Sequence, residues 1–488
     1  MTALPPPAQQ LIDGKLVGGS DGTTYPILNP ATGEEIGQAP DGTAADVEGA
    51  IAAARRAFDE SGWATDRDLR VRCLRQLHQA LLDDADAFKA LTTVEVGMPG
   101  FMMGAAGFDV PVDGLKWVTD LLEIYEFETD LGVAAPMGIK SQRTVRREPV
   151  GVVGAVRPWN VPIQINLAKI GPALAAGCTV VLKPAPDTPW VAAELGRLVA
   201  EHTDIPAGVF NVVTPRSNDV AALLSTDPRV DMVSFTGSTS VGRAIMAAAA
   251  PTLKKVFLEL GGKSAAIVLD DADIGSAAGA TAFAACIHAG QGCAITTRLV
   301  VPREKYDEAV QVAAATMESI GAKDPADPGA ICGPVISQVQ RDRVKEYLRV
   351  AVEEGGTFAT GGAVIDQPGF WIQPTVVAGL DNSSRLAQEE IFGPVLVVIP
   401  HDGDDDAVRI ANESAYGLSG SVDSGDVERA KSVAARIRTG TIAVNGGVWF
   451  SPDAPFGGYK QSGIGREMGV AGFEEYLETK TIAEPAKG

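Results

Sequence analysis

Val150-Gly-Val-Val-Gly-Ala-Val-Arg-Pro-Trp-Asn-Val-Pro162 opens the part of the chain whose rhythm decides the fold. An apolar run, a loop stiffened by two prolines and then a helical stretch form the unit from which helix-wrapped parallel sheets are built. The unit recurs, with strand candidates at Cys178 to Leu182, Val209 to Val213, Met232 to Phe235 and Val256 to Leu260. A second series begins near Ser264 and has candidates at Ala265 to Leu269, Arg298 to Val301, Val395 to Ile399 and Thr441 to Val444. Two α/β domains joined around Gly261-Gly262 are the economical reading. Ahead of them, Leu11 to Val17 and Tyr25 to Pro30 read as extended segments, with turns at Asp13-Gly14 and Asp21-Gly22. From Ala44 to about Ala90 apolar residues recur at helical spacing, as at Val47, Ile51, Ala54 and Phe58. Phe127 to Arg147 is polar and Gly/Pro-punctuated, and Phe473 to Ile482 reads as one more extended segment. Exposed edges of this kind either pair between subunits or remain surface hairpins.

Composition bounds the function. A chain of 488 residues exceeds what one core organises, so two or three domains are expected. Its 62 acidic residues outweigh 41 basic ones, giving a formal charge of −21, which disfavours nucleic acid and anionic membranes as partners. The five cysteines are odd in number, widely spaced and without a CxxC pair, so neither a disulfide framework nor a metal site is expected. Met1 to Gln10 shows no basic region followed by an apolar stretch, and no window reaches about 18 uninterrupted apolar residues. The expectation is a soluble, cytoplasmic protein.

Several local patterns carry chemistry. In Gly290-Gln291-Gly292-Cys293 the glycines let the backbone bend tightly and leave the sulfur reachable, as a nucleophile requires. A lone cysteine is more often a buried small hydrophobe, and Cys178 and Cys286 keep that reading. Glu259, ending an apolar strand beside Gly261 and Gly262, stands where open α/β sheets build their sites, as a general base or simply as a solvated strand end. Asn160, in the rigid loop Pro158 to Pro162, offers either turn chemistry or a neutral amide for an oxyanion hole. Phe235-Thr-Gly-Ser-Thr239 lies between a strand and a helix expected from Val241 to Ala250, so its N–H groups suit a pyrophosphate. The GxGxxG fingerprint is absent, Gly151 to Gly154 being only a partial approach to it.

Taken in order, these segments resemble the aldehyde dehydrogenase superfamily over nearly the whole chain. The matching stretches are Pro158-Trp-Asn-Val-Pro162, Lys183-Pro184, Phe235-Thr-Gly-Ser238, Glu259-Leu-Gly-Gly-Lys263, Gly290-Gln-Gly-Cys293, Glu389-Glu-Ile-Phe-Gly-Pro394 and Pro455-Phe-Gly-Gly-Tyr-Lys460. The resemblance implies an α/β fold: a Rossmann-like cofactor domain (1–126 and 150–262), a second α/β catalytic domain (263–445) and a small β oligomerisation element (127–149 and 470–488). It implies Cys293 as nucleophile, Glu259 as general base, and the Asn160 amide with the Cys293 backbone N–H as oxyanion hole. Trp159, Lys183, Gly237, Ser238, Glu390 and Phe392 would hold NAD, and Glu467 would serve a proton relay. The family match places Val161, Trp449 and Phe450 along the substrate path, with Ile295 beside the nucleophile. Their apolar character favours hydrophobic or aromatic aldehydes. Many members follow Lys-Pro with a small residue and Glu, whereas this chain has Lys183-Pro184-Ala185-Pro186. That departure leaves NADP open beside NAD, with Asp187 as a displaced carboxylate or Arg216 as a phosphate partner. A homodimer or homotetramer is implied. Retention of Glu259 argues against an acylating relative that passes the thioester to coenzyme A, and retention of Cys293, Glu259 and Asn160 together argues against a non-catalytic protein on the same scaffold.

Overall fold

A computed structural model describes residues 8–486. The leader reading of Met1 to Gln10 therefore lies mostly outside the described residues. Five strands, Val152–Val156, Thr179–Lys183, Phe210–Val212, Met232–Thr236 and Lys255–Glu259, form the parallel heart of the first sheet. Each lies within a few residues of its sequence expectation, because a strand buried on both faces reads as a nearly continuous apolar run. The first strand starts at Val152 and not at Val150, since Gly151 sits at φ 128° and the Asp231 carboxylate accepts from the Val152 N–H at 2.7 Å. Cys178 likewise falls just ahead of its strand.

The spatial order decides where a ligand can bind. Met232–Thr236 lies on one side of Val152–Val156 and Thr179–Lys183 on the other. The chain thus reverses direction across the sheet between the first and fourth of these strands. At such a switch point the loops leaving the two strands diverge and open a crevice at the carboxyl edge. Those loops are Arg157 to Val161 and Gly237-Ser238. Antiparallel additions finish both edges, with Gln10–Ile12 and Lys15–Val17 at one end and the short Gly463–Ile464 at the other. Helices Ala44–Glu60, Arg67–Asp83, Asp109–Ile124, Pro162–Ala176 and Trp190–His202 cover the sheet, and their apolar residues fill its two main packing layers.

The second sheet contains the four expected strands, as Ser264–Val268, Thr296–Pro302, Val395–His401 and Ala443–Val444. Three others that the sequence pattern did not single out, Thr357–Thr360, Thr375–Ala378 and Gly420–Asp423, complete it. Glu35–Pro40, also not anticipated, pairs with Thr24–Leu28. Glu128–Ala134 and Ser141–Pro149 form a hairpin onto which Leu477–Pro485 adds as a third strand, Leu477 facing Pro149. The tail was expected to be extended from Phe473. Instead Phe473 belongs to a short helix, Gly469–Glu474, and is buried in the first core beside Tyr125 and Phe127. The two edge elements pair with each other within one chain. Among the described residues no helix is long and apolar enough to cross a membrane.

Candidate active site

Lys255–Glu259 leaves the first sheet and Ser264–Val268 begins the second only five residues later, so the linker Leu260 to Lys263 passes directly between the sheets. The segment carrying Cys293 approaches it from the other side, between the helix Ile274–Cys286 and the strand Thr296–Pro302. Contact is close enough that a β-carbon on Gly262 would lie 2.6 Å from the Cys293 carbonyl oxygen, so only glycine fits there. Between the two sheets lies a cavity of about 220 Å³ bordered by Asn160, Glu259 and Cys293. The switch-point loops supply its other wall with Trp159, Gly237 and Ser238, and Glu390 and Phe392 close it.

The backbone around the thiol is unusual. His288 and Ala289 have φ 51° and 53°, and Gly290 follows at 70°, three consecutive residues in the left-handed region. Non-glycine residues held there store of order 1–3 kcal/mol each, which persists only where the surroundings over-determine the conformation. Here Gln291, fully buried, accepts from Ile336 N–H at 2.9 Å and donates to the carbonyls of His288 at 3.0 Å and Pro334 at 3.3 Å. The Asn160 amide donates to the Gln291 carbonyl at 2.9 Å. An amide nitrogen carries two protons, so one N–H of Asn160 is left for another acceptor.

Burial raises the Cys293 thiol well above its ordinary value, and the carboxylates of Glu259, Glu390 and Glu467 raise it further. Glu259 is 1% exposed, and neither carboxylate oxygen has a protein partner. Its carboxyl is also raised, first by burial and then by Glu467, against the opposing pull of Lys169 and Arg466. Glu467 is itself bonded to Lys169 Nζ at 2.8 Å. That ammonium, fully buried, donates to Ser234 Oγ at 3.2 Å and lies 5.0 Å from the Phe257 ring centroid. A buried carboxylate–ammonium pair of this kind can pass a proton without exposing either group to bulk water. Sequence reading found Glu467 and missed Lys169, although it is the only charged residue in the apolar helix Pro162–Ala176.

The cofactor candidates divide into two groups. Ser238 caps the helix Thr239–Ala249, Gly237 N–H donates to the Glu259 carbonyl at 3.0 Å, and buried Thr236 Oγ1 has no protein partner. Trp159 and Phe392 meet edge to face at 5.3 Å, the latter at φ 61°. Glu390 accepts from Gly262 N–H at 3.0 Å, and burial pushes its carboxyl up to about 7. A helix N-terminus, unpartnered hydroxyl, carboxylate and flat rings on one cavity fit a dinucleotide. Lys183 does not border this cavity but ends the neighbouring strand, buried, with its ammonium pushed down to about 8 by burial and by Arg157. Asp187 is within electrostatic reach of Lys183 and Arg216, and the Arg216 guanidinium lies 5.2 Å from the Tyr25 ring centroid.

None of the four substrate expectations borders this cavity. Val161 packs with Met102, Met103 and Ile336, and Ile295 packs on the second core. Trp449 stacks on Phe456 at 5.3 Å and touches Phe450 edge-on at 6.0 Å. A second, much smaller cavity, of about 40 Å³, is lined in part by the helix Pro162–Ala176. Val110, Trp117, Leu167, Pro452, Met468 and Phe473 are among its walls, and Val161, Ile295, Trp449 and Phe450 are not.

Comparison with known proteins agrees with this geometry. The family model described as "Aldehyde dehydrogenase family" matches residues 17–482. A 3-succinoylsemialdehyde-pyridine dehydrogenase of Pseudomonas sp is 41% identical over 96% of this chain and 97% of its own. A geranial dehydrogenase of Castellaniella defragrans is 40% identical over 93% and 94%. Among solved structures, a betaine aldehyde dehydrogenase of Staphylococcus aureus in complex with NAD+ superimposes with a TM-score of 0.94 at 35% identity, covering 98% of this chain and 97% of that one. An aldehyde dehydrogenase C mutant of Pseudomonas syringae, complexed with NAD+ and octanal, gives 0.92 at 39%, covering 97% and 96%. With a matching family model over almost its entire length and relatives this similar, the chain belongs to the aldehyde dehydrogenase family, NAD(P)-dependent oxidoreductases that act on the aldehyde group.

Proposed function

We propose that this chain oxidises a hydrophobic aldehyde to its carboxylic acid with NAD+, through a thiohemiacetal and then a thioester on Cys293. The observation that carries the reading is the convergence of Cys293, Glu259 and Asn160 on one cavity whose other walls fit a dinucleotide. The Cys293 thiol first loses its proton to solvent, its sulfur then adds to the aldehyde carbon, and the free N–H of Asn160 with the Cys293 backbone N–H stabilises the oxyanion that forms. Donors of this kind each contribute roughly a hundred- to thousandfold in rate. Trp159, Gly237, Ser238, Glu390 and Phe392 would hold NAD+, with Lys183 at the adenosine end, and NAD+ when bound would accept the hydride whose loss from the former aldehyde carbon turns the thiohemiacetal into the thioester. Glu259 then takes a proton from water as that water attacks the thioester, and the acid leaves with the thiol restored. Glu467 and Lys169 offer the proton a route onward.

The octanal and geranial named for two relatives support a hydrophobic substrate. We infer NAD+ over NADP+, because Asp187 stands near Lys183 while the Arg216 guanidinium is engaged on the Tyr25 ring. Residues 1–126 and 150–262 form the cofactor-binding domain in this reading, and 263–445 the catalytic domain. Residues 127–149 and 470–488 supply the oligomerisation element of a homodimer or homotetramer, consistent with the exposed Leu131, Val133, Ile139 and Ile482 on and beside its strands. All five cysteines are free, which suits a reducing cytoplasm. The test is NADH formation with a panel of aliphatic, aromatic and semialdehyde substrates, with and without coenzyme A. A strict requirement for coenzyme A would replace hydrolysis by acyl transfer, and no activity with any aldehyde would end the proposal.

A further inference from the structure

Two loops meet at the site. One, carrying Asn160, leaves the first sheet, and the other, carrying His288, Gln291 and Cys293, enters the second. They are tied by a closed cycle of hydrogen bonds. His288 Nε2 is 2.9 Å from the Asn160 carbonyl, Asn160 Nδ2 donates to the Gln291 carbonyl at 2.9 Å, and Gln291 N–H donates to the His288 carbonyl at 3.1 Å. A carbonyl oxygen only accepts, so the proton of the imidazole sits on Nε2. Nδ1 is buried without a partner, His288 is 2% exposed, and burial pushes the ring down to about 4, so it stays neutral throughout the working range.

We propose that His288 is a positioning residue for the oxyanion hole, its Nε2–H fixing the Asn160 peptide relative to the Cys293 loop. The inference rests on the reading of Asn160 as an oxyanion donor. The two donors of that hole come from different sheets, so their separation depends on what links the loops. Rotation of the Asn160 peptide would swing the side-chain amide, one of whose protons is already committed to Gln291. His288 holds the opposite end of the same residue, so the amide has one orientation. The left-handed conformation of His288, φ 51° and ψ 40°, aims the ring across the gap between the loops, where a helical or extended residue would send it elsewhere. The imidazole touches no group proposed to react, and its effect passes through Asn160.

The experiment compares His288→Leu with His288→Gln, because both bear a similar cost in the left-handed region and differ in the donor. A glutamine Nε2 lies as many bonds from the backbone as the histidine Nε2, so it can reach the same carbonyl. Single-turnover NADH formation with octanal, enzyme in excess, is measured beside NAD+ affinity by fluorescence. The Leu variant should lose roughly tenfold or more in the single-turnover rate, as expected for a misplaced donor, with NAD+ affinity within about twofold of wild type. The Gln variant should recover most of the rate. Equal losses in both variants, or an unchanged rate in the Leu variant, would overturn the proposal. Should the Leu variant not fold, the Gln variant decides alone: a near-wild-type rate supports the donor role and a tenfold slower one removes it. Asn160→Ala, measured alongside, separates the two readings. If it leaves the rate unchanged, the oxyanion assignment of Asn160 fails. If it slows the rate while His288→Leu does not, only the role of His288 fails.

Discussion

Replacing Glu259 by Gln separates the two halves of the proposed chemistry, and the structure fixes the direction of each effect. The carboxylate is buried without a hydrogen-bond partner, beside Glu467 and against the pull of Lys169 and Arg466. Its negative charge is one of the causes that raise the Cys293 thiol. A neutral amide removes that cause, so the sulfur of the variant should ionise more readily, and alkylation by iodoacetamide at a fixed pH should be faster. Thioester hydrolysis instead needs a base within about 3 Å of the attacking water, and loss of such a base costs roughly a hundred- to ten-thousandfold. The expected record is a burst of NADH approaching one per active site, then slow turnover, with the acyl group visible as added mass on the intact chain. Stability should move as well. Because the folded carboxyl is raised above its ordinary 4.5, the unfolded chain releases this proton first as pH rises. The contribution of Glu259 therefore becomes increasingly unfavourable from about pH 4.5 up to the raised value, and Glu259→Gln should melt higher than wild type at alkaline pH. A variant with neither burst nor adduct would place Glu259 upstream as the base that activates the thiol. Unchanged steady-state turnover would remove it from the mechanism and transfer water activation to Glu467.

Cys293→Ala should abolish dehydrogenase activity while NAD+ affinity stays within a few-fold, whereas Cys286→Ala, buried at the end of an alanine-rich helix, should leave kcat nearly unchanged; a Cys293 variant with most of its turnover would exclude the nucleophile. Lys169→Met leaves the Glu467 charge buried and unpaired, which destabilises by about 3–5 kcal/mol. It also removes a charge that lowers the Glu259 carboxyl, so the limb of the kcat–pH profile on which activity rises with pH should move to higher pH, and an unmoved limb would uncouple the pair from Glu259. Gly290→Ala would set a β-carbon 2.1 Å from the Gly393 carbonyl at φ 70°, so soluble yield or activity should collapse, and a fully active Ala variant would show that the two loops part easily. Cofactor choice is read from kcat/KM with NAD+ and NADP+, where a clear preference for NADP+ would point to Lys183 with Arg216.

What the sequence reveals depends on whether a residue's role is local. Doubly buried strands such as Val152–Val156 announce themselves as apolar runs, whereas Gly420–Asp423 is short and half polar, and only its neighbours in the second sheet make it a strand. The same distinction holds in the site. Asn160 and Cys293 stand out because prolines flank one and glycines precede the other within a few positions. Glu259 stands out as a carboxylate ending an apolar strand. His288 does not, since its partner is 128 residues away and its left-handed turn is imposed by packing. Substrate residues are harder to read on the same ground: an aromatic near the site can face a ligand or another ring, and Trp449 stacks on Phe456. Lys169 lies between these cases. A single charge in a helix otherwise built for a core must find a partner or shift its protonation, so Lys169 signals that a partner exists, although nothing local says that this partner is Glu467, 298 residues on. An isolated ionisable residue in an apolar element is therefore worth tracing to its partner, and here Lys169 leads to Glu467, whose charge is felt by Glu259.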